Sequence, residues 1–150
     1  MVKPIPDGYH ALTAYLSVHD GKAAIEFYKQ AFGATVVQVM EHEGRIGHAD
    51  LLIGDSHLML ADEFPEISFR SPRTIGGSPV QIMLYVPNVD EVFERAVAAG
   101  AKVTRPVSDQ FYGDRNGGLE DPFGHVWFVS THVEDVSDEE MQRRAKAAQH

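Results

Sequence analysis

The chain has 150 residues, 43% of them hydrophobic and 23% charged, a composition typical of a globular domain with one good core. The absence of cysteine excludes disulfides, thiolate metal sites and cysteine nucleophiles, and it fits a reducing cytoplasm. The net charge of −9 disfavours nucleic acid, and because no apolar run is long enough to cross a bilayer we expect no membrane partner either. A small organic ligand is therefore the expected partner.

The first predicted unit, residues 1–61, is a strand, a helix and three further strands. An apolar run ends at Val18, Asp20 can cap the helix that follows, and Gly33 can end it. Between those two points, apolar residues recur at helical spacing. The strands of this unit are predicted at 12–18, 35–41, 45–53 and 57–61.

The same plan returns further along the chain. Val18 and Val86 are 68 residues apart, and the segments "SHLML" (56–60) and "GHVWF" (124–128) have the same offset. A constant offset between separate landmarks indicates a duplicated module. The second module, residues 79–132, has its helix capped by Asn88, and its strands are predicted at 80–86, 102–108, 112–119 and 125–131. The predicted fold class is therefore α+β, with two tandem βαβββ modules.

Two segments lie outside the modules. Residues 62–78 are rich in Pro, Gly and Ser and are predicted to be a linker, long enough to cross an open sheet face or to exchange modules between chains. Residues 133–150 are predicted to hold a short C-terminal helix capped by Ser137. Because one module alone would be marginally stable, we expect the modules to pair within a chain or across a homodimer.

Strand alternation separates two faces of each predicted sheet. We expect the aliphatic residues of the first strands to pack under the helices and the polar and aromatic ones to line a ligand site. The aliphatic set is Leu12, Ala14, Leu16, Val18, Val80, Ile82, Leu84 and Val86; the other includes Thr13, Tyr15, Gln81 and Met83. By the 68-residue offset, His57 and His125 should both point to the helix side or the rim, with Met59 and Trp127.

The duplicated plan, with "AIEFYKQAFGA" (24–34), "GHADLLIGDSHLMLAD" (47–62) and "DPFGHVWF" (121–128), resembles the vicinal oxygen chelate superfamily. This is the group of glyoxalases, bleomycin-resistance proteins and extradiol dioxygenases, and the resemblance is greatest to its PhnB-like branch. The resemblance implies that the two mixed sheets curl into a cup that holds the ligand, and that the protein is a homodimer. It does not fix the reaction, because the superfamily includes several chemistries and simple binding proteins.

The resemblance also implies where a metal would bind. Metal-dependent members carry His or Glu at four symmetric strand positions, which fall here near Thr13, Leu60 (or Met59), Gln81 and Phe128. A hydroxyl, an amide and two apolar groups make a poor cage for a divalent ion. We therefore expect no metal and no other cofactor.

His48 and Asp50 are the candidate catalytic residues. They stand at i and i+2 of a strand, so both face the same way, and Asp50 could orient His48 as a general base. The alternative is an exposed polar face or an ion pair at a dimer edge.

The segment "YGDR" (112–115) offers further ligand contacts. Tyr112 supplies an aromatic wall, and Arg115 could bind a carboxylate or phosphonate with two hydrogen bonds. The alternative for Arg115 is an ion pair with one of the neighbouring acids. Arg70 and Arg73 in the linker are further candidates that could cap the cup.

Two functions remain open from the sequence. The first is a small-molecule-binding protein without a metal, its ligand aromatic or anionic and contacted by Thr13, Tyr15, Gln81, Met83, Tyr112, Arg115 and Phe128. The second is a lyase, isomerase or dioxygenase-like enzyme that uses a metal or the His48–Asp50 pair. A purely structural role has the least support, since it would not require a polar lining.

Overall fold

The computed structural model describes residues 2–148, and the two modules within it have the predicted element order. In the first, strand β1 (Ala14–Val18) leads into helix α1 (Gly21–Phe32), followed by strands β2 (Thr35–His42), β3 (Arg45–Ile53) and β4 (Ser56–Asp62). These strands form sheet A in the order β1-β4-β3-β2, with β1 and β4 parallel and the other pairs antiparallel.

The second module repeats this arrangement as sheet B. Strand β5 (Gln81–Tyr85) leads into helix α3 (Val89–Ala98), followed by β6 (Lys102–Asp109), β7 (Asp114–Glu120) and β8 (Val126–His132), in the order β5-β8-β7-β6. Neither sheet closes on itself. The α+β fold of two tandem βαβββ modules predicted from the sequence is therefore confirmed.

The helices begin and end where the sequence predicted. The Asp20 side chain accepts a hydrogen bond from the Ala23 amide at 3.1 Å, and Asn88 accepts one from the Glu91 amide at 3.3 Å. Gly33 ends α1 with a φ of 69°, a left-handed conformation that glycine adopts without strain. After the second module, helix α4 (Asp138–Ala148) is capped by Ser137; residues 149 and 150, which the prediction included, lie outside the described residues.

The core lies between the sheets and the helices, and it joins the two modules. Tyr28 and Phe32 of α1 pack against Trp127 of β8, with the Phe32 and Trp127 ring centroids 4.6 Å apart. Asp121, which is 3% exposed, accepts hydrogen bonds from the Tyr28 hydroxyl and the Trp127 indole. The modules thus share one core, and none of the helices between residues 2 and 148 is long and apolar enough to span a membrane.

Two expectations about the faces were wrong. Leu12 and Val80 are 91% and 63% exposed, because each lies just outside its strand. In β4 it is Leu58 and Leu60 that are buried, so His57 and Met59 point to the face opposite the helices. The strand registers give the reason: Tyr15 pairs with Met59, 44 residues on, whereas Met83 pairs with Phe128, 45 residues on. The second module thus has one more residue before its last strand, which makes Phe128 the counterpart of Met59 and removes His57 from correspondence with His125.

The linker is more ordered than its composition suggested. It contains a 3-10 turn at Pro65–Ile67 and the one-turn helix α2 (Pro72–Ile75), whose N-cap is Ser71. Phe64 and Phe69 exchange backbone hydrogen bonds of 2.7 and 3.1 Å. The segment therefore has a fixed conformation beside sheet A.

Candidate functional site

Each sheet has one face packed on the helices and one face turned away from them, which we call its open face. On sheet A the open face carries Tyr15, His48, Asp50, His57 and Met59, as their mutual hydrogen bonds and the strand register show. On sheet B it carries Gln81, Met83, Tyr85, Asp114, Asn116, Gly118, Phe128, Ser130 and His132. The open faces are where most of the predicted site residues meet.

His48 and Asp50 share the open face of sheet A but have different partners. The His48 Nδ1 lies 2.8 Å from the Tyr15 hydroxyl. Asp50 is 2% exposed and is hydrogen-bonded by the Tyr9 hydroxyl and by His57 Nδ1, the latter at 2.7 Å. The shared face was predicted; the catalytic role stays a prediction, and the partner that orients His48 is Tyr15.

The N-terminal segment covers part of this face. The Tyr9 ring stacks on His57 with the centroids 3.8 Å apart, and its hydrogen bond to Asp50 raises the pKa of the Tyr9 hydroxyl. Sequence reasoning missed Tyr9 and His57, because no pattern links residue 9 to a strand that begins 47 residues later. Burial likewise raises the pKa of Tyr15, so both hydroxyls are protonated at neutral pH.

Sheet B gathers a second polar set around Asp114, which is 4% exposed. Its carboxylate is 2.8 Å from His132 Nδ1 and accepts hydrogen bonds from the Tyr85 and Ser130 hydroxyls. Burial raises the pKa of Asp114, but the hydrogen bonds outweigh burial and the net shift is downward. The Asp114 contact in turn raises the pKa of His132. His132, at the end of β8, is held by this set.

Among the predicted ligand contacts, Tyr15, Gln81, Met83 and Phe128 lie on the open faces. Thr13 directly precedes β1, and Tyr112 reaches the open face of sheet B through a 2.8 Å hydrogen bond from the Asn116 amide. The lining is therefore drawn from both modules, and the ligand-binding roles stay predictions.

Arg115 is not brought to the same place. It alternates with Asp114 and Asn116, so its side chain lies on the helix side, where two 2.9 Å hydrogen bonds join it to Asp90 at the start of α3. A further bond of 3.2 Å reaches Asp109, and these carboxylates raise the pKa of Arg115. Arg115 therefore forms an ion pair, which was the alternative to ligand binding. Its partners are Asp90 and Asp109, not the acids that follow it closely in the sequence.

Arg105 is a residue on the open face that sequence reasoning missed. Its guanidinium lies 5.7 Å from the centroid of the Phe128 ring. Gly118 permits this approach, because a Cβ there would lie 2.7 Å from the Thr104 hydroxyl and 3.2 Å from Phe128. The alternation of β6 could have indicated its face, but a β-bulge at Thr104 shifts the register.

The four positions at which metal-dependent relatives carry ligands do not fit a divalent ion. Leu60 faces the core and is fully buried, which makes Met59 the relevant residue, in register with Tyr15. The potential donors are then the oxygens of Thr13 and Gln81 and the thioether of Met59, beside the Phe128 ring, a set that neither a hard nor a borderline cation prefers. Over residues 2–148, no group of three His, Asp or Glu side chains has metal-site geometry.

Comparison with known proteins agrees with this architecture. Residues 10–129 match the family model described as the Glyoxalase/Bleomycin resistance protein/Dioxygenase superfamily. The uncharacterized protein Mb0911c of Mycobacterium bovis is 40% identical over 136 residues, which are 88% of this chain and 90% of that protein.

Solved structures with a similar fold agree with this comparison. TioX from a Micromonospora species is 28% identical with a TM-score of 0.66, over 83% of this chain and 99% of TioX. A PhnB protein from Bacillus cereus has a TM-score of 0.63 at 17% identity, over 81% of this chain and 99% of that one, and shares the fold alone.

Proposed function

The chain belongs to the glyoxalase/bleomycin resistance protein/dioxygenase superfamily, and on that premise we propose that it binds a small organic molecule against the open faces of its sheets. Binding in this proposal uses no divalent metal. The unsuitable donor set at Thr13, Met59, Gln81 and Phe128 supports that part of it. A homodimer in the cytoplasm is part of the same proposal.

One observation carries the proposal: large apolar and aromatic side chains remain accessible on the open faces. Tyr15, Met83 and Tyr85 are 45%, 48% and 58% exposed, whereas the opposite faces of the same strands pack on the core. Small-molecule sites are mostly apolar and aromatic with a few fixed polar groups. Here the polar groups are the Asp50 and Asp114 sets described above.

A second proposal is a lyase or isomerase in which His48 acts as general base. The 2.8 Å contact between Tyr15 and His48 favours it, because it holds an imidazole at an open, ligand-accessible face. His48→Ala should abolish turnover if His48 is the base. Under the binding proposal the same variant keeps its affinity within a few-fold and no turnover exists to lose.

The binding proposal is tested with a neutral aromatic probe, N-phenyl-1-naphthylamine. Titration should show saturable binding, and the melting temperature should rise with probe concentration, by the equivalent of about 2.7 kcal/mol at 100 times the Kd. Elemental analysis of the purified protein should find less than one equivalent of any transition metal. Absence of saturable binding would contradict the proposal, and a full equivalent of tightly held metal would contradict its metal-free part.

A further inference from the structure

The linker forms one wall of a groove beside β1. Its conformation is fixed by Glu63, whose carboxylate accepts hydrogen bonds from the Ser71 amide at 3.0 Å and the Thr74 hydroxyl at 2.7 Å. The backbone bridge between Phe64 and Phe69 closes the turn that these two residues flank. The groove is therefore formed before any ligand arrives, which reduces the entropy lost on binding.

The groove has an apolar compartment of about 530 Å³. The Tyr15 and Phe69 rings form part of its wall, in edge-to-face contact with their centroids 5.8 Å apart. The remaining apolar surface comes from Ala61, Phe64 and Ile67. This volume and lining suit one or two aromatic rings.

A second, smaller compartment of about 270 Å³ shares the Phe69 wall. Ser17 lines it and is only 8% exposed, yet its hydroxyl has no hydrogen-bond partner among residues 2–148. His125 is bonded to the backbone oxygen of Ser17, at 2.9 Å, and leaves the hydroxyl free. A buried hydroxyl without a partner loses free energy that a ligand atom could restore.

The charge around this compartment is positive. Arg70 lines it, and within the described part of the chain its guanidinium makes no hydrogen bond or ion pair, although the chain has 22 acidic residues. None of the described acidic side chains lines the compartment, and the nearby Glu63 is bonded to Ser71 and Thr74. The compartment therefore favours a negatively charged group.

We propose that this groove binds an amphiphilic monoanion, with its rings in the apolar compartment and its oxyanion bonded by Arg70 and Ser17. The inference rests on the proposed function and gives it a ligand class, an aromatic carboxylate or sulfonate. The two compartments share Tyr15 and Phe69, so a single molecule can occupy both.

The test uses a matched pair of probes. 8-Anilinonaphthalene-1-sulfonate has the ring system of N-phenyl-1-naphthylamine plus one sulfonate. It should bind about tenfold more tightly than the neutral probe, and this advantage should shrink with added salt. A native melting transition in each sample ensures that the probe reports a folded protein.

Three variants test which side chains bind the sulfonate group. Arg70→Gln should weaken binding of the sulfonate probe about tenfold and leave binding of the neutral probe unchanged. Arg73, the other arginine predicted as a cap, lines a different cleft, so Arg73→Gln should alter neither. Ser17→Ala should weaken binding of the sulfonate probe about two- to tenfold without lowering stability, because the Ser17 hydroxyl has no hydrogen-bond partner within residues 2–148.

The possible results distinguish this inference from the function on which it rests. If neither probe binds, the proposed function fails. If the neutral probe binds but the sulfonate gives no advantage, or Arg70→Gln and Arg73→Gln behave alike, the binding function stands and the monoanion groove is wrong.

Discussion

At the scale of single residues, the structure pairs its buried acids with fixed donors. Asp121 shows this most fully, since it accepts the Tyr28 hydroxyl, the Trp127 indole and the backbone amides of Phe123 and His125. Burial, reinforced by Asp121, raises the pKa of Tyr28 well above its usual value. One carboxylate therefore joins α1 to the turn before β8.

We predict that Asp121→Asn destabilises the fold by about 2–3 kcal/mol, because an amide cannot accept all four donors and leaves buried groups unpaired. Urea unfolding measures the loss. Asp7→Asn is the matched control: within the described residues the Asp7 side chain pairs only with Lys3, and both are exposed, so its replacement should cost less than about 0.5 kcal/mol. Equal losses in the two variants would show that the buried network does not stabilise the fold.

The His132–Asp114 pair predicts a pH dependence of stability. The folded protein raises the pKa of His132 above 6.5, so its stabilising contribution is complete below that pH and is lost as pH rises through the higher folded value. The melting temperature should fall from pH 6 to pH 8.5 more steeply in the wild type than in His132→Gln. Parallel curves for the two proteins would contradict this assignment.

At the scale of elements, the sequence predicts the helices and strands well, and it predicts less well the sheet face on which each side chain lies. Helix caps and strand runs depend on neighbouring residues, so Asp20, Asn88 and Ser137 could be assigned directly. The face on which His57 lies could not be assigned, because one extra residue before the last strand of the second module inverts the correspondence between copies. The bulge at Thr104 likewise changes the sheet face on which Arg105 lies, so that face could not be predicted from alternation.

Helix α4 should contribute little to stability. None of its residues is buried, and Arg144 holds it to the rest of the chain through Glu134 and the Phe111 carbonyl. Exposed ion pairs of this kind stabilise by about 0–1 kcal/mol each. A chain ending after Ser137 should therefore unfold in urea within about 1 kcal/mol of the full chain; a loss above about 3 kcal/mol would show that α4 packs against another surface.

At the scale of the whole molecule, the parts hardest to predict are those that join distant segments. The open faces follow from alternation, so Tyr15 and Met83 were placed correctly from sequence. The contact of Tyr9 with Asp50 was not predicted, and for the linker only a passage over a sheet face was predicted, not its contact with β1, because neither segment has a periodic pattern. The strand residues of the candidate site can therefore be predicted from the sequence, whereas the residues contributed by the N-terminal segment and the linker cannot.

Edge strand β2 also predicts the oligomeric state. Val37 and Met40 of this strand are 50% and 53% exposed, an apolar surface outside the proposed ligand contacts that a second copy could cover. We expect light scattering to give twice the 16.6 kDa chain mass. Met40→Lys should shift the mass toward one chain, because burying an unpaired ammonium costs several kcal/mol, whereas Val97→Lys on the outer side of α3 should not. A wild-type mass of one chain at micromolar concentration would contradict the homodimer, and a dimeric Met40→Lys would place the interface elsewhere.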